Sequence, residues 1–251
     1  MSISERARAT HEALFPGNVS TLAVTDPELV EYFDNFAFDE VLRYGSLDTR
    51  TRLMVQLAAL IASQALSEYR VMLGAALAAG VTPVEIKEIV YQAVPYVGMG
   101  KVLDFIHATN DVLTERGVAL PLPGQSTTTP ETREERGLAV QKEIVGADAV
   151  DKMYASARAD EMHFQHFLSG NCFGDHYTRT GIDVRTRELL TFAMLVSLGG
   201  CEPQAKGHVA ANLNVGNDRA VLLSVITQLL PFIGYPRTLN ALRVIDEVTS
   251  P

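Results

Sequence analysis

Cysteine is scarce in these 251 residues: the chain has two, Cys172 and Cys201. Two thiols are too few for a disulfide scaffold and too few for a structural zinc site. Positive charge is also short, with 21 Lys and Arg against 30 Asp and Glu, a formal net charge of −9. A phosphate-binding surface needs clustered cations, and no Lys/Arg-rich stretch occurs, so nucleic acid is not an expected partner. No uninterrupted apolar run reaches the roughly eighteen residues of a membrane span. The best candidates, 53–66 and 189–198, are broken by Gln56, Ser63, Gln64, Thr191 and Ser197. The opening stretch, with Glu5, Arg6, Arg8 and His11, lacks the apolar segment of a signal peptide. These shortages together predict a soluble, cytoplasmic protein with no membrane partner. With 47% hydrophobic and 20% charged residues, the chain has the material for a real core and lacks the signature of disorder.

What is present is a repeat. Gln92-Ala-Val-Pro95-Tyr96-Val-Gly98 recurs as Gln228-Leu-Leu-Pro231-Phe232-Ile-Gly234, and Asp48-Thr-Arg50-Thr51-Arg52 recurs as Asp183-Val-Arg185-Thr186-Arg187. Gly80 pairs with Gly216 and Phe38 with Phe173, and the leading stretches match loosely, Glu5-Arg6…Pro16-Gly17 with Glu135-Arg136…Val145-Gly146. Self-similarity at a fixed spacing is the mark of a repeated structural unit. The joint, rich in Pro, Gly, Ser and Thr, contains Pro121, Pro123, Gly124, Ser126, Thr127 and Thr128 and reads as a linker. The division is a first unit over 1–116, a linker over 117–129 and a second unit over 130–251.

Every periodic stretch reads as helix, so the fold class is all-α. Leu53, Leu57, Leu60 and Ile61 form one stripe of a helix capped by Asp48. Thr82-Pro83-Val84-Glu85 combines a capping box with proline at the first position, and Thr129-Pro130 opens a helix in the same way. Gly80 and Gly216 sit where C-terminal caps belong. Pro95 and Pro231 should kink or end their helices, and Gly174-Asp175 should mark a helix end or turn. No alternating run argues for a strand.

Arg185-Thr-Arg-Glu-Leu-Leu-Thr191, Gly199-Gly200-Cys201, His208-Val-Ala-Ala-Asn-Leu-Asn214, Gly216 and the Gln-x-x-Pro-[Tyr/Phe]-x-Gly block resemble the carboxymuconolactone decarboxylase family. The resemblance covers nearly the whole chain, twice, and is better in the second copy. It implies the helical fold shared with alkylhydroperoxidase D, here as two tandem units related by a pseudo-twofold. It also implies ring assemblies of six units, hence a homotrimer of this duplicated chain. Two chemistries follow from it. Decarboxylases of the family act without a cofactor on a lactone acid. Peroxidases use Cys-x-x-Cys followed by His, with an upstream Glu. Carried over, the upstream Glu is Glu188, the first Cys is Cys201 and the His is His208. Gln204 stands where the peroxidases have their second Cys, so the redox pair is incomplete.

The first copy serves as an internal control. The counterparts of Cys172, His176, Glu188, Cys201 and His208 are Ala37, Val41, Leu53, Ala65 and Met72, all apolar, while caps, glycines, prolines and arginines persist in both. Unpaired buried polar groups cost about 1–3 kcal/mol each, so five appearing together point to a site in the second copy. Each has a bland alternative: Glu188 as a salt-bridge residue, His208 and Cys172 as core residues, His176 and Cys172 as neighbours at a helix end. Cys201 sits near a helix start, which lowers a thiol's pKa, with Glu202 opposing. His163 and His166 align with Glu28 and Glu31 and read as surface positions; no metal is expected.

Cys201 and His208 are about 10.5 Å apart along a helix, whereas a hairpin around Gly200 would bring Glu188 and His208 to within about 6 Å in height. Such a Glu–His pair, with the chemistry the resemblance implies, makes the expected enzyme a cofactor-free lyase or isomerase acting on a small organic acid or lactone. Glu188, His208 and Cys201 are its catalytic candidates; Gln204, Cys172 and His176 line the substrate site. Arg185, Arg187 or Lys206 are the candidates to hold the substrate carboxylate. The alternatives are a thiol peroxidase using Cys201 with Cys172 as resolving partner, and a non-catalytic binding or assembly protein.

Overall fold

The computed structural model describes residues 2–18 and 20–249. In the first half, α1 (Glu5–Leu14), α2 (Leu22–Thr25) and α3 (Pro27–Asn35) lead into a π-helical turn, Phe36–Glu40, and a 3₁₀ turn, Val41–Arg43. Four longer helices follow: α4 (Thr49–Ala62), α5 (Leu66–Ala78), α6 (Pro83–Val97) and α7 (Met99–Glu115). The second half repeats the order. It runs α8 (Arg133–Val145), α9 (Ala147–Ser156), α10 (Met162–Phe167), a π-helical segment Leu168–Tyr177, then α11 (Val184–Leu198), α12 (Glu202–Asn214), α13 (Arg219–Ile233) and α14 (Tyr235–Thr249). No strand occurs among the described residues. The fold is all-α, built from two similar helical halves.

The repeated caps explain the repeated helices. Asp48 accepts from the Thr51 amide at 3.0 Å and Asp183 from the Thr186 amide at 2.9 Å, each satisfying a donor of the first turn. Thr82 and Glu85 close their capping box from both sides. Pro95 and Pro231 lie in the last turns of α6 and α13, which run two residues past them and stop at Gly98 and Gly234. A proline so near the end removes one amide and leaves the last turn to be closed by the Gly98 amide on Val94 O at 3.0 Å. The helix after the linker begins at Arg133 rather than Pro130, because Thr132 N bonds Thr129 O at 3.1 Å and makes a tight turn first. The stretch containing Gly174-Asp175 continues as π-helix to Tyr177.

That last correction has a packing cause. A Cβ on Gly174 would overlap the carbonyl oxygen of Arg133, and one on Gly137 would overlap that of Ser169. Gly174 is there so that α8 and the π-helical segment can touch backbone to backbone.

α4 and α11 are buried over almost their whole length, Arg52–Ala62 and Arg187–Ser197. A helix without a polar face belongs at the centre, and the two pack on each other in the middle of the molecule. The main hydrophobic core results, joining Leu53, Leu57 and Ile61 to Leu190, Ala193 and Met194. The repeated Gln-x-x-Pro block then crosses between halves. Gln92 of α6 donates to Thr191 Oγ1 in α11 at 3.2 Å, while Gln228 of α13 donates to Val41 O at 2.8 Å and accepts from Gln56 Nε2 of α4 through its carbonyl at 3.1 Å.

Candidate active site

Glu188 lies one turn into α11, fully buried, and His208 lies in the facing α12. His208 Nδ1 is 2.8 Å from Glu188 Oε2, and its side chain keeps 16% of its surface exposed. The other carboxylate oxygen, Oε1, accepts from Tyr177 Oη at 2.7 Å. With that proton committed to Glu188, Tyr177 must accept from Thr191 Oγ1 (2.8 Å) and from Tyr96 Oη (3.0 Å). Thr191 in turn accepts from Gln92 Nε2, whose amide oxygen takes Arg187 Nη1 at 3.0 Å. Cys172 Sγ donates to Tyr96 Oη at 3.7 Å. Every hydroxyl in this chain points its hydrogen toward one carboxylate, the arrangement expected around an anion in a low-dielectric interior. Burial holds the phenol pKa values of Tyr96 and Tyr177 well above the ordinary range, with the Glu188 charge acting in the same sense, so both remain donors.

The backbone supports the pair. Asn212 donates to Glu188 O at 3.1 Å and to His208 O at 2.7 Å, and accepts from Asn217 Nδ2 at 2.9 Å, tying α11 to α12 at this height. The Tyr96 ring meets the His208 imidazole edge-on at 5.6 Å between centroids. With Nδ1 on Glu188, Nε2 is the nitrogen left for a substrate. The corresponding positions of the first half, Ala37, Val41, Leu53 and Met72, are buried in apolar surroundings, so that half has packing where the second has polar groups.

The sequence profile of the carboxymuconolactone decarboxylase family matches residues 27–111 and again 163–247. A 4-carboxymuconolactone decarboxylase from Acinetobacter baylyi is 30% identical over 118 residues, covering 47% of this chain and 87% of that protein. The chain belongs to the carboxymuconolactone decarboxylase family. Two profile matches in one chain are the duplication read from the repeats.

Within this family member the two cysteines stand apart. Cys172 is buried with Ile144, Phe173, Tyr177 and Ala211, and burial pushes its thiol up to about 12. Cys201 packs against the main core, and its Sγ donates to Leu195 O at 3.2 Å. Burial and the neighbouring Glu202 raise its pKa, so the expected lowering at a helix start is overturned. Among the described residues no hydrogen bond joins Cys201 to Glu188 or His208, and this arrangement of two protonated thiols in separate clusters gives a thiol peroxidase no support. Gln204, one turn before His208, is exposed. His176 is largely buried, burial lowers its pKa, and its Nδ1 has no hydrogen-bond partner among the described residues.

The three basic residues offered for a substrate carboxylate each have a protein partner, and only Arg187 is fully committed in the interior. Arg185 Nε donates to Asn217 at 2.7 Å, Lys206 pairs with Glu247 at 3.1 Å, and Arg187 is fully buried on Glu88 at 2.8 Å. His166 meets Glu134, and no group of three His, Cys, Asp or Glu that could hold a metal occurs among the described residues. Sequence reasoning missed Tyr177, Tyr96, Thr191 and Gln92. For the tyrosines the signal was available: Tyr177 aligns with Leu42 and Tyr96 with Phe232, the same polar-for-apolar exchange that marked Glu188 and His208. No helix among the described residues is long and apolar enough to cross a membrane.

Proposed function

We propose that this chain is a cofactor-free decarboxylase, or an enzyme of a related lyase or isomerase step, acting on a small organic acid or lactone. The observation that carries the reading is a largely buried imidazole, His208, that keeps some exposed surface and whose Nδ1 is held at 2.8 Å by a fully buried carboxylate with a tyrosine on its second oxygen. Loss of carbon dioxide breaks the carbon–carboxylate bond and leaves its electron pair on a conjugated carbonyl. His208, as imidazolium, delivers its Nε2 proton to the resulting carbanion, and Glu188 stabilises the imidazolium and then keeps the neutral ring in its Nδ1–H form. Solvent restores the proton. Gln204, exposed one turn before His208, supplies an amide for the developing oxyanion. The second unit, 130–251, bears the site; the first, 1–116, lends it Gln92 and Tyr96. A homotrimer belongs to the same proposal, supported by the exposed Phe164, Phe167, Tyr235 and Leu239, and sedimentation at three times the 27.3 kDa chain mass would establish it.

Release of carbon dioxide from 4-carboxymuconolactone, and from a panel of related lactone acids, is the test. Glu188→Gln and His208→Ala each lower turnover by about 10²–10⁴-fold, the usual worth of a positioned acid–base group, with unchanged helical circular dichroism. Full activity in both variants refutes the assignment.

A further inference from the structure

The linker does more than join two units. Residues 120–125 lie across a cavity of about 390 Å³ whose floor is α6 and whose far wall is Asn110 of α7 and Arg179. The strap is fixed there: Thr180 N donates to Gln125 O at 3.0 Å, its hydroxyl bonds the Gln125 side chain, and Thr127 Oγ1 donates to Thr178 O at 2.8 Å. Leu120, Pro121, Leu122 and Val84 give the cavity apolar walls.

Its polar groups are unbalanced in charge. Arg179 and Arg187 both bind Glu88, at 2.9 and 2.8 Å, and so share one carboxylate between two guanidiniums. Lys87, only 8% exposed, adds a third cation, and its ammonium has no carboxylate; its one protein partner among the described residues is the neutral Asn110 Oδ1. Burial lowers the Lys87 pKa, the mark of an ammonium short of a counter-charge. Arg179 uses Nε and Nη2 on Glu88, leaving Nη1 without a partner among the described residues. Both cations approach the Tyr91 ring, Lys87 Nζ at 5.8 Å and the Arg179 guanidinium at 5.2 Å from its centre.

We propose that this cavity binds a small, flat organic carboxylate, its anionic end between Lys87 and Arg179 and its apolar body against Tyr91 and the proline strap. Charge-assisted hydrogen bonds to a carboxylate supply the missing counter-charge, and the apolar walls select an organic acid over an inorganic anion. The site is separate from the Glu188–His208 pair and does not rest on the chemistry proposed for it. Its floor is nonetheless the outer end of the same network, since Arg187 binds Glu88 on one side and Gln92 on the other.

Benzoate is the probe, titrated calorimetrically into the full-length protein, with inorganic phosphate in parallel. The expected result is saturable binding of one benzoate per chain, with no comparable binding of phosphate. Lys87→Met removes the ammonium and weakens benzoate at least tenfold. Asn110→Asp, an isosteric change that gives Lys87 an internal counter-ion, weakens it as much and decides the matter should Lys87→Met fail to fold. His208→Ala leaves affinity within twofold. Absence of benzoate binding, equal affinity in Asn110→Asp and the parent, loss confined to His208→Ala, or phosphate binding as tightly as benzoate would each overturn the proposal.

Discussion

Tyr177 is the residue on which the site's order turns. It gives its proton to Glu188 and receives those of Thr191 and Tyr96. Tyr177→Phe keeps the ring in its apolar cluster and removes only the hydroxyl. A hydrogen bond to a charged group is worth roughly 1.5–3 kcal/mol, so turnover should fall about ten- to a hundredfold, in kcat rather than KM, if Glu188 acts on the reaction through His208. An unchanged kcat would show that the phenol only fills space. Glu68 offers a contrast. It occupies the first-half counterpart of Gln204, is partly buried, and has no hydrogen-bond or ion-pair partner among the described residues. Burial raises its pKa. A carboxyl whose folded pKa is raised favours the native state while protonated, and that contribution is lost as pH rises through the folded value. Glu68→Gln should therefore raise the Tm at pH 7 and above, the gain vanishing below the ordinary carboxylate range. A pH-independent difference would contradict the cause given. Glu188 and His208 were legible in the sequence because the two copies differ there in polarity. Tyr96 was harder to read, because a Tyr/Phe exchange passes for conservative packing until the hydroxyl is seen to lead to the carboxylate.

At the scale of elements, caps and stripes were legible and close approaches were not. Asp48, Asp183 and the Thr82–Glu85 box start helices where their side chains bond the first turn, a local matter that four residues decide. Gly174 reads from its neighbours as a helix end, yet it lies inside a π-helical segment because α8 passes within touching distance. The partner, Arg133, is some forty residues away, and nothing local announces it. That contact holds Cys172 and Tyr177 at the site, since both lie on the same segment. Gly174→Ala and Gly137→Ala would force backbone against backbone, and overpacking of this kind costs about 1–3 kcal/mol or more. Thermal unfolding should show the loss in both variants, with activity falling in proportion to displacement of Tyr177. Parental stability in either would mean that α8 can step away freely.

For the whole molecule, duplication has not produced two independent bodies. α4 and α11 share one core, the linker is pinned beside a cavity by Gln125 and Thr127, and each Gln-x-x-Pro block reaches into the other half. The repeats showed that there are two units; they could not show that the units interlock, because contacts such as Gln92 with Thr191, Glu88 with Arg179 and Arg187, and Gln228 with Val41 join residues ninety or more positions apart. The sharpest such contact is charged. Glu88 of α6, 1% exposed at its side chain, binds the fully buried Arg187 of α11 as well as Arg179. Breaking a buried pair by removing one partner costs about 3–5 kcal/mol, because the remaining charge is stranded. Glu88→Gln strands two guanidiniums at a junction that both halves need. One calorimetric transition is then expected in the parent and in the variant, shifted down as a unit, because no part of the core can melt while the rest keeps its packing. Two resolved transitions in the variant, with only one of them displaced, would show instead that the halves unfold separately and that the second unit holds its site without the first.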